Sequence, residues 1–360
     1  MGRSVAIIGA GQIGHALAEA FAAGGWETRV LASSAPRWPV LDKPLKSGLF
    51  SKALTWRGTG ARFEPYDLAS DQSALHADLV VDTIAFDHGY LDRYDPALIG
   101  RLMVISSASV YCDAAGRTLD EAAQNGWPEF AGPITEEQTT VAPDCTTYST
   151  RKVRMEQRAA ELFGDRATIL RPGAIYGPYS RHPREWWFVK RLRDRRRKIP
   201  LMHFGKAQFH TTNAADIGRF AHHAAEHGLG GVYNVVDQSC PSVSEIADAM
   251  ISRLDDPPEL VLLDDLGTVG RTPWSVSKPF IVSSAKAAAS GFTKQSRYTQ
   301  SVSEAASWLW EHKAADWKLA FPQLAAYPYD HFDYEAEDRY FAGFEQWGSA
   351  SMDGIAPDPR

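Results

Sequence analysis

Tyr148 and Lys152 stand four residues apart in TTYSTRKVRMEQRAAELF (146–163). That stretch has the pattern of a helix, so the two side chains share one face. A phenol titrates near ~10 and is a poor acid or base at neutral pH. An ammonium held beside it stabilises the phenolate and lowers that value. The tyrosine can then pass a proton to or from a substrate oxygen while a hydride moves at the attached carbon. The lysine can also bond a nicotinamide ribose. Ser107 supplies a third group, at the end of the strand pattern RLMVISSAS (101–109). In a doubly wound sheet that end faces the ligand crevice, where a hydroxyl can bond the same substrate oxygen and fix its position. A YxxxK pair alone is common by chance. Its place in the chain gives it weight, after a glycine turn and a serine-ended strand and before ATILRPGAIY (167–176).

The glycine turn is SVAIIGAGQIG, with Gly9, Gly11 and Gly14 in the GxGxxG spacing. Gly9 permits the tight exit from a strand, Gly11 lets the backbone approach a pyrophosphate, and Gly14 lets the following helix pack on the sheet. The first amides of that helix, at Gln12 and Ile13, then offer N–H groups and a partial positive charge to phosphate. A dinucleotide is therefore the expected cofactor. Where NAD proteins place a ribose-binding acid, at the end of the second strand, this chain has Ala32, Ser33 and Ser34, followed by Arg37. No carboxylate stands there to repel a 2′-phosphate, while two hydroxyls and a guanidinium can bind one. The charge favours NADP(H) over NAD(H).

These groups need a scaffold, and the pattern supplies one. Strand-like runs at 4–9, 28–33, 61–68, 78–86, 101–109 and 167–176 alternate with helical patterns at 12–25 and 146–163. Such alternation predicts an α/β fold, a doubly wound parallel (Rossmann) sheet with a smaller C-terminal substrate-binding lobe. The dinucleotide domain is expected over 1–177, with 206–237 returning to it. The lobe takes 178–205 and 238–320, and 321–360 forms an aromatic, acidic tail packed on the body. Within the lobe, Ser242 three residues before Glu245 is a capping box opening a helix at 242–254.

Composition narrows the class. With 360 residues, 44% of them hydrophobic, the chain can bury a large core or two unequal ones. A net charge of −6 gives no support for broad nucleic-acid binding. No run of ~18 apolar residues offers a membrane span. MGRSVAII enters a strand pattern directly, without a cleavage site, which points to a cytoplasmic protein. Cys112, Cys145 and Cys240 are too scattered for a metal site or a disulfide framework, and no other cluster has metal-ligand spacing.

The order of these motifs resembles the short-chain dehydrogenase/reductase superfamily, closest to its extended or atypical branch, the NAD-dependent epimerase/dehydratase family. The matching pieces are IIGAGQIG (7–14), YDL (66–68), VVDTIAF (80–86), VISSASVY (104–111), YSTRK (148–152), ILRPGAIYGP (169–178) and VYNVVD (232–237). The resemblance implies that Ser107, Tyr148 and Lys152 are the catalytic set. It also implies that Asp67 and Leu68 flank the adenine, that Ala85 lies along the cofactor, and that Pro172 and Gly173 lie by the nicotinamide. Asp82 reads as a support of its strand end. The chain departs from the family in several places. Ile8 stands where the first glycine of GxxGxxG is usual. Ala108-Ser109 replace the Asp-Glu with which sugar-nucleotide 4,6-dehydratases eliminate water. Phe209-His210 follow Gln208 where an Arg-Asp pair is usual in sugar-nucleotide epimerases. The segment between Ala85 and Val104 is too short for the usual dimer helix, so a homodimer is left open.

On the substrate side, His88, Ser109, Tyr111, Tyr176, Arg181, Trp186, His203 and His210 are the candidates, with Asp87, His182 and Trp187 beside them. The basic run Lys190–Lys198 reads as a solvated helix, with a phosphate-bearing substrate as the alternative. The leading expectation is an NADP(H)-preferring oxidoreductase that reduces a ketone or oxidises a secondary alcohol on a polar, sugar-like or natural-product-like small molecule. The alternative is a sugar or sugar-nucleotide epimerase using transient oxidation at one carbon. A non-catalytic NADP sensor comes last. The expected partner is a small-molecule substrate, with neither nucleic acid nor membrane.

Overall fold

The computed structural model describes residues 3–34, 60–67, 72–252, 254–264, 267–311 and 316–352. Arg37 and Leu68 lie outside the described residues. Seven parallel strands form the central sheet: β1 Ser4–Ile8, β2 Glu27–Ala32, β3 Arg62–Pro65, β4 Ala77–Asp82, β5 Ile99–Ile105, β6 Ala167–Pro172 and, last in the chain, Gly231–Val235. Among the described residues four more short strands lie outside that sheet: β7 Ala174–Tyr176, β8 Lys198–Leu201, β9 Thr211–Asn213, and β11 Glu259–Leu262 after the sheet's edge strand β10 (Gly231–Val235). The sheet order is β10-β6-β5-β4-β1-β2-β3. The order reverses at β1, which pairs with both β2 and β4. That switch point opens a crevice at the carboxyl ends of the strands, where the glycine turn lies.

The strands are apolar on both faces because helices cover both. Val5, Ile7, Val30, Val81, Met103 and Leu170 pack against Leu17 and Phe21 of the helix Gln12–Ala23 and against Ile217 and Phe220 of the helix Ala214–Glu226. The alternate residues Ala6, Ile8, Leu31, Val80, Val104 and Ile169 face Met155, Ala159 and Phe163 of the helix Tyr148–Phe163. The period of two in each strand thus feeds two separate cores.

A further core joins Trp186, Trp187 and Phe188 with Ile199, Leu201, Val243, Ile246, Trp274, Tyr298, Val302 and Phe321. Its helix Val243–Ile251 begins with the capping box of Ser242 and Glu245. Among the described residues no helix is long and apolar enough to cross a membrane.

Two expectations are corrected here. The run 167–176 is not one strand. At Gly173 the chain leaves the main sheet, its N–H donating to Thr212 Oγ1 at 2.8 Å, and β7 pairs with β9 in a small sheet of its own. A Cβ at Gly173 would stand 2.2 Å from the His210 carbonyl oxygen, so this crossing needs glycine. Nor is the basic run a solvated helix. The helix Trp186–Arg193 stops before Asp194, and Arg195 turns the chain with a φ of 58°. Arg191 is buried, lies 3.5 Å over the Trp187 ring, and pairs with Glu337 at 2.5 Å. Arg196 reaches Glu337 and Asp338, and Lys190 reaches Asp194. Glu337 and Asp338 belong to the helix Tyr334–Met352, so the acidic tail pairs with Arg191 and Arg196 of the run and packs on the lobe.

Glu185 sits in this lobe, accepting a hydrogen bond from the Tyr298 hydroxyl at 3.1 Å. Burial pushes its carboxyl up from 4.5 to about 7, against the pull of Arg184 and the Tyr298 hydrogen bond. The folded protein therefore holds this proton to a higher pH than the unfolded chain does. The stability linked to it is fully present below pH 4.5 and is lost as pH rises through about 7. Glu185→Gln should flatten the fall in Tm between about pH 5 and about pH 8. Thermal melts across that range check this, and an unchanged slope would remove Glu185 as its source.

Candidate active site

β4, β5 and β6 end side by side, and one helix is laid across them. Asp82 ends β4, accepting from the amides of Ile84 and Ala85 at 2.8 and 2.7 Å and from the Tyr94 hydroxyl at 2.5 Å. It is fully buried and holds the turn 83–86, the structural place expected of it. Ser106 and Ser107 follow directly on the end of β5. Ser106 Oγ donates to Glu156 Oε1 at 2.5 Å, and Arg171 of β6 bonds both oxygens of Glu156.

The helix begins at Tyr148 because Thr147 caps it, with reciprocal bonds to Thr150. Tyr148, Lys152 and Glu156 then recur at every fourth position along one face. Lys152 Nζ donates to the carbonyls of Ala85 and Ile105 at 2.7 and 2.8 Å, bridging the ends of two strands. Burial lowers its pKa to about 8, with Asp82 and Glu156 acting the other way. Tyr148 is 37% exposed and lines the cleft, and its ring packs 5.4 Å from the Phe86 ring. Burial of its hydroxyl pushes the phenol up to about 12. The Ser107 hydroxyl beside it opposes that rise, and the charge of Asp120 adds to it. Lys152 Nζ lies 5.8 Å from the centre of the Tyr148 ring. The expected trio thus converges, but Lys152 directs its bonds to strand-end carbonyls and the phenol stands above its usual value. Ser107 Oγ also accepts from the Ser109 amide at 3.1 Å. Ser109 in turn accepts from Ser149, whose own amide donates to Asp120.

These groups border one cavity of about 1600 Å³. Gly9, Gly11, Gln12, Ile13, Ser33, Ser34 and Asp67 line one part of it, and Ser107, Ser109, Tyr148, Pro172, Gly173 and Arg181 line another. Gly14 and Ala85 serve from behind. A Cβ at Gly14 would stand 2.0 Å from the Gly9 carbonyl oxygen, and Ala85 offers its carbonyl to Lys152. Gly11 is the N-cap of its helix with no side-chain cap, and open space surrounds its Cα. A helix start with uncapped amides and an open glycine before it fits the pyrophosphate of a dinucleotide.

His182 also lines the cavity, but the other candidates are not brought to it. Tyr111 is fully buried, donating to Asn234 Oδ1 under the Arg171 guanidinium. Tyr176 is buried against Ser301 and Tyr298, and Trp186 and Trp187 belong to the lobe's core. His203 sits in the turn after β8. His210 is buried between the Asp237 carbonyl and the Val282 amide, and burial lowers it to about 4. His88 lies between Asp87 and Arg154, outside the lining. Aromatic and histidine side chains near a motif are as often packing as binding residues, and here packing took them. Sequence reasoning missed Glu156, although its position eight residues after Tyr148 on the same face was a signal. It also missed Asp120, Arg184 and Arg271, which come from loops with no local pattern.

The model of the NAD dependent epimerase/dehydratase family matches residues 90–235. A comparison with curated protein sequences finds no match. Among solved structures, the enzyme WbmH of Bordetella bronchiseptica in complex with NAD+ is 17% identical, with a TM-score of 0.60, covering 87% of this chain and all of that one. The UDP-glucuronic acid 4-epimerase of Bacillus cereus, in complex with UDP-glucuronic acid and NAD, is 15% identical, with a TM-score of 0.57 and 85% and 98% coverage. A dTDP-glucose 4,6-dehydratase of Bacillus anthracis with NAD is 14% identical, at 0.57 and with 89% and 99% coverage. The fold is that of these structures, and the motifs resemble those of short-chain dehydrogenase/reductase enzymes. Over residues 90–235 the chain is similar to the NAD-dependent epimerase/dehydratase family.

Gly11 and Gly14 should separate binding from folding. Gly11→Ala has room for its Cβ and should leave Tm nearly unchanged while weakening dinucleotide binding, because its methyl enters the pyrophosphate's approach. Gly14→Ala collides with backbone and should cost roughly 1–3 kcal/mol of stability. Melting curves and dinucleotide titrations of both variants check this. Equal effects on both readouts would contradict the division.

Proposed function

We propose that the protein is an epimerase that inverts one hydroxyl-bearing carbon of a polar, sugar-like small molecule through transient oxidation. The observation that carries it is the convergence of Ser107 and Tyr148 on the cavity wall, with Lys152 tying the strand ends behind them. The epimerase reading, over net ketone reduction or alcohol oxidation, takes its support from the matched family and the 4-epimerase among the similar structures. Elimination of water finds no acid beside Ser107, since Ala108 and Ser109 follow it.

A bound nicotinamide dinucleotide supplies hydride transfer at the substrate carbon. The chain's own residues handle the oxygen. Ser107 holds the substrate hydroxyl in register with Tyr148. Tyr148 receives the hydroxyl proton as the carbon is oxidised and returns it when the carbonyl is reduced from its other face. Lys152 fixes the loop 83–86 and the end of β5, so that both hydroxyls keep one geometry. Gly11, Gln12 and Ile13 hold the pyrophosphate, and Asp67 lies toward the adenine.

For the cofactor we read charge. Ser33 and Ser34 line the cavity at the end of β2 and present no carboxylate to a 2′-phosphate. NADP(H) should bind more tightly than NAD(H) by about tenfold, the worth of one charge-assisted hydrogen bond. Titration of both dinucleotides checks this, and the reverse order would establish NAD as the cofactor.

Tyr148→Phe should lower kcat by roughly 100-fold or more with dinucleotide affinity unchanged. An epimerase should also turn over many equivalents of substrate per dinucleotide, with no net change in nicotinamide absorbance and no solvent deuterium at the inverted carbon. Stoichiometric consumption of the dinucleotide would establish the net oxidoreductase instead.

A further inference from the structure

Between Ser107 and Tyr148 the chain makes an excursion that the proposed chemistry does not use. Its ends meet where Tyr111 pairs with Thr140. The Cys112 amide donates to the Thr139 carbonyl at 3.0 Å, and the Val141 amide donates to the Val110 carbonyl at 2.9 Å. Asp113, buried inside the excursion, sets its course. Its carboxylate accepts from the amides of Ala115, Arg117 and Glu129 at 2.9, 2.9 and 3.0 Å and pairs with the Arg117 guanidinium at 2.7 Å. The loop so pinned brings Asp120 and Trp127 to the cavity wall. Asp120 is exposed, and its Oδ2 accepts from the Ser149 amide at 2.8 Å. Ser149 Oγ donates to Ser109 Oγ at 3.0 Å, and the Ser109 amide donates to Ser107 Oγ at 3.1 Å. This run of bonds ties the carboxylate to Ser107, and its charge reaches the Tyr148 phenol. Among the described residues Asp120 Oδ1 has no hydrogen-bond partner and no cation pairs with the carboxylate. The one other acid among the described lining residues is Asp67, just past β3 at the dinucleotide end.

A ligand that fills this end of the cavity strips water from Asp120. A carboxylate so desolvated is costly unless the ligand returns hydrogen-bond donors to it. Such a site rejects an analogue that lacks the donor far more strongly than an apolar pocket rejects a missing methylene. Trp127 lines the cavity from the same loop, half-buried against the lobe's core. A carboxylate and a flat indole on one loop suit a ring-shaped polyol, whose edge carries donors and whose C–H face is apolar. We propose that Asp120 is a specificity-determining residue that accepts a hydrogen bond from a donor on the substrate, a hydroxyl or an ammonium, near the carbon that Ser107 and Tyr148 address. The proposal rests on reading this cleft as the substrate site. Asp113 acts behind it, since its bonds fix the loop on which Asp120 and Trp127 ride.

The test uses the full chain saturated with whichever of NADP+ and NAD+ binds more tightly. D-glucose and D-glucosamine are titrated as the probes and followed by saturation-transfer NMR, which detects weak ligands. At least one should bind saturably, and its affinity should fall by about tenfold or more in Asp120→Ala, with Tm and dinucleotide affinity held. Asp120→Asn keeps an acceptor for the Ser149 amide and loses only the charge, so it should fall between wild type and Asp120→Ala. A wild-type preference for glucosamine that Asp120→Asn abolishes assigns an ammonium, and equal binding of the two sugars assigns a hydroxyl. If neither sugar binds, or if both variants bind it as wild type does, the assignment is overturned. A loss shared with dinucleotide affinity marks a merely structural role and overturns it as well. Because no turnover is read, a silent titration beside Tyr148-dependent activity overturns the role of Asp120 while leaving the proposed function standing.

Discussion

Lys152 is an ammonium buried under the carboxyl ends of a parallel sheet, and its hydrogen bonds tie together what the site needs. Its two acceptors are carbonyls from different strands' ends, Ala85 beyond β4 and Ile105 in β5. A charge so placed is paid for by those bonds and by the fields of Asp82 and Glu156, which oppose its deprotonation. Four residues further along the helix, Glu156 joins Ser106 to Arg171 of β6. Removing one partner of a buried pair of this kind costs about 3–5 kcal/mol, because the other charge is left without compensation. One helix face thus locks three strand ends in register and carries Tyr148 to the cleft as its first residue. The placement of Tyr148 at the cavity is a by-product of that locking.

The same logic operates on the lobe side with a different pair. Arg191 is sandwiched between the Trp187 ring and the aromatic tail, and Glu337 satisfies its charge. This fixes the helix Tyr334–Met352 and the preceding segment against the lobe, so Tyr327 and Tyr329 become cavity wall. The cleft therefore lies between two rigid supports, each anchored by an arginine–glutamate pair, and its ligand-facing groups are mostly loop residues hung between them.

What could be read in the sequence was what repeats or follows from chain geometry. The sheet was legible because buried parallel strands are short apolar runs and the helices between them keep their period. The glycine turn was legible because Gly14 can be nothing larger: the Gly9 carbonyl fills the space. Tyr148 and Lys152 were legible as an i, i+4 pair. The substrate side was not, because tyrosines and histidines bury as readily as they bind. Tyr111, Tyr176, Trp186 and His210 found hydrogen-bond partners or core neighbours far along the chain, at Asn234, Ser301, Phe321 and Val282. Nothing local announces such partners. Arg191 shows the converse, a charge in a basic run that tertiary pairing with a residue near the chain's end drew inside.

The phenol is the point at which geometry and chemistry pull apart. At about 12, Tyr148 is protonated at neutral pH, so it is set to donate toward a carbonyl and not to accept from a hydroxyl. Ser107 alone does not offset burial and the field of Asp120. Lys152 is committed to the strand ends, and at about 8 it gives up its own charge comparatively easily. Within the chain, Lys152 thus serves Tyr148 by holding the strand ends around it more than by its charge.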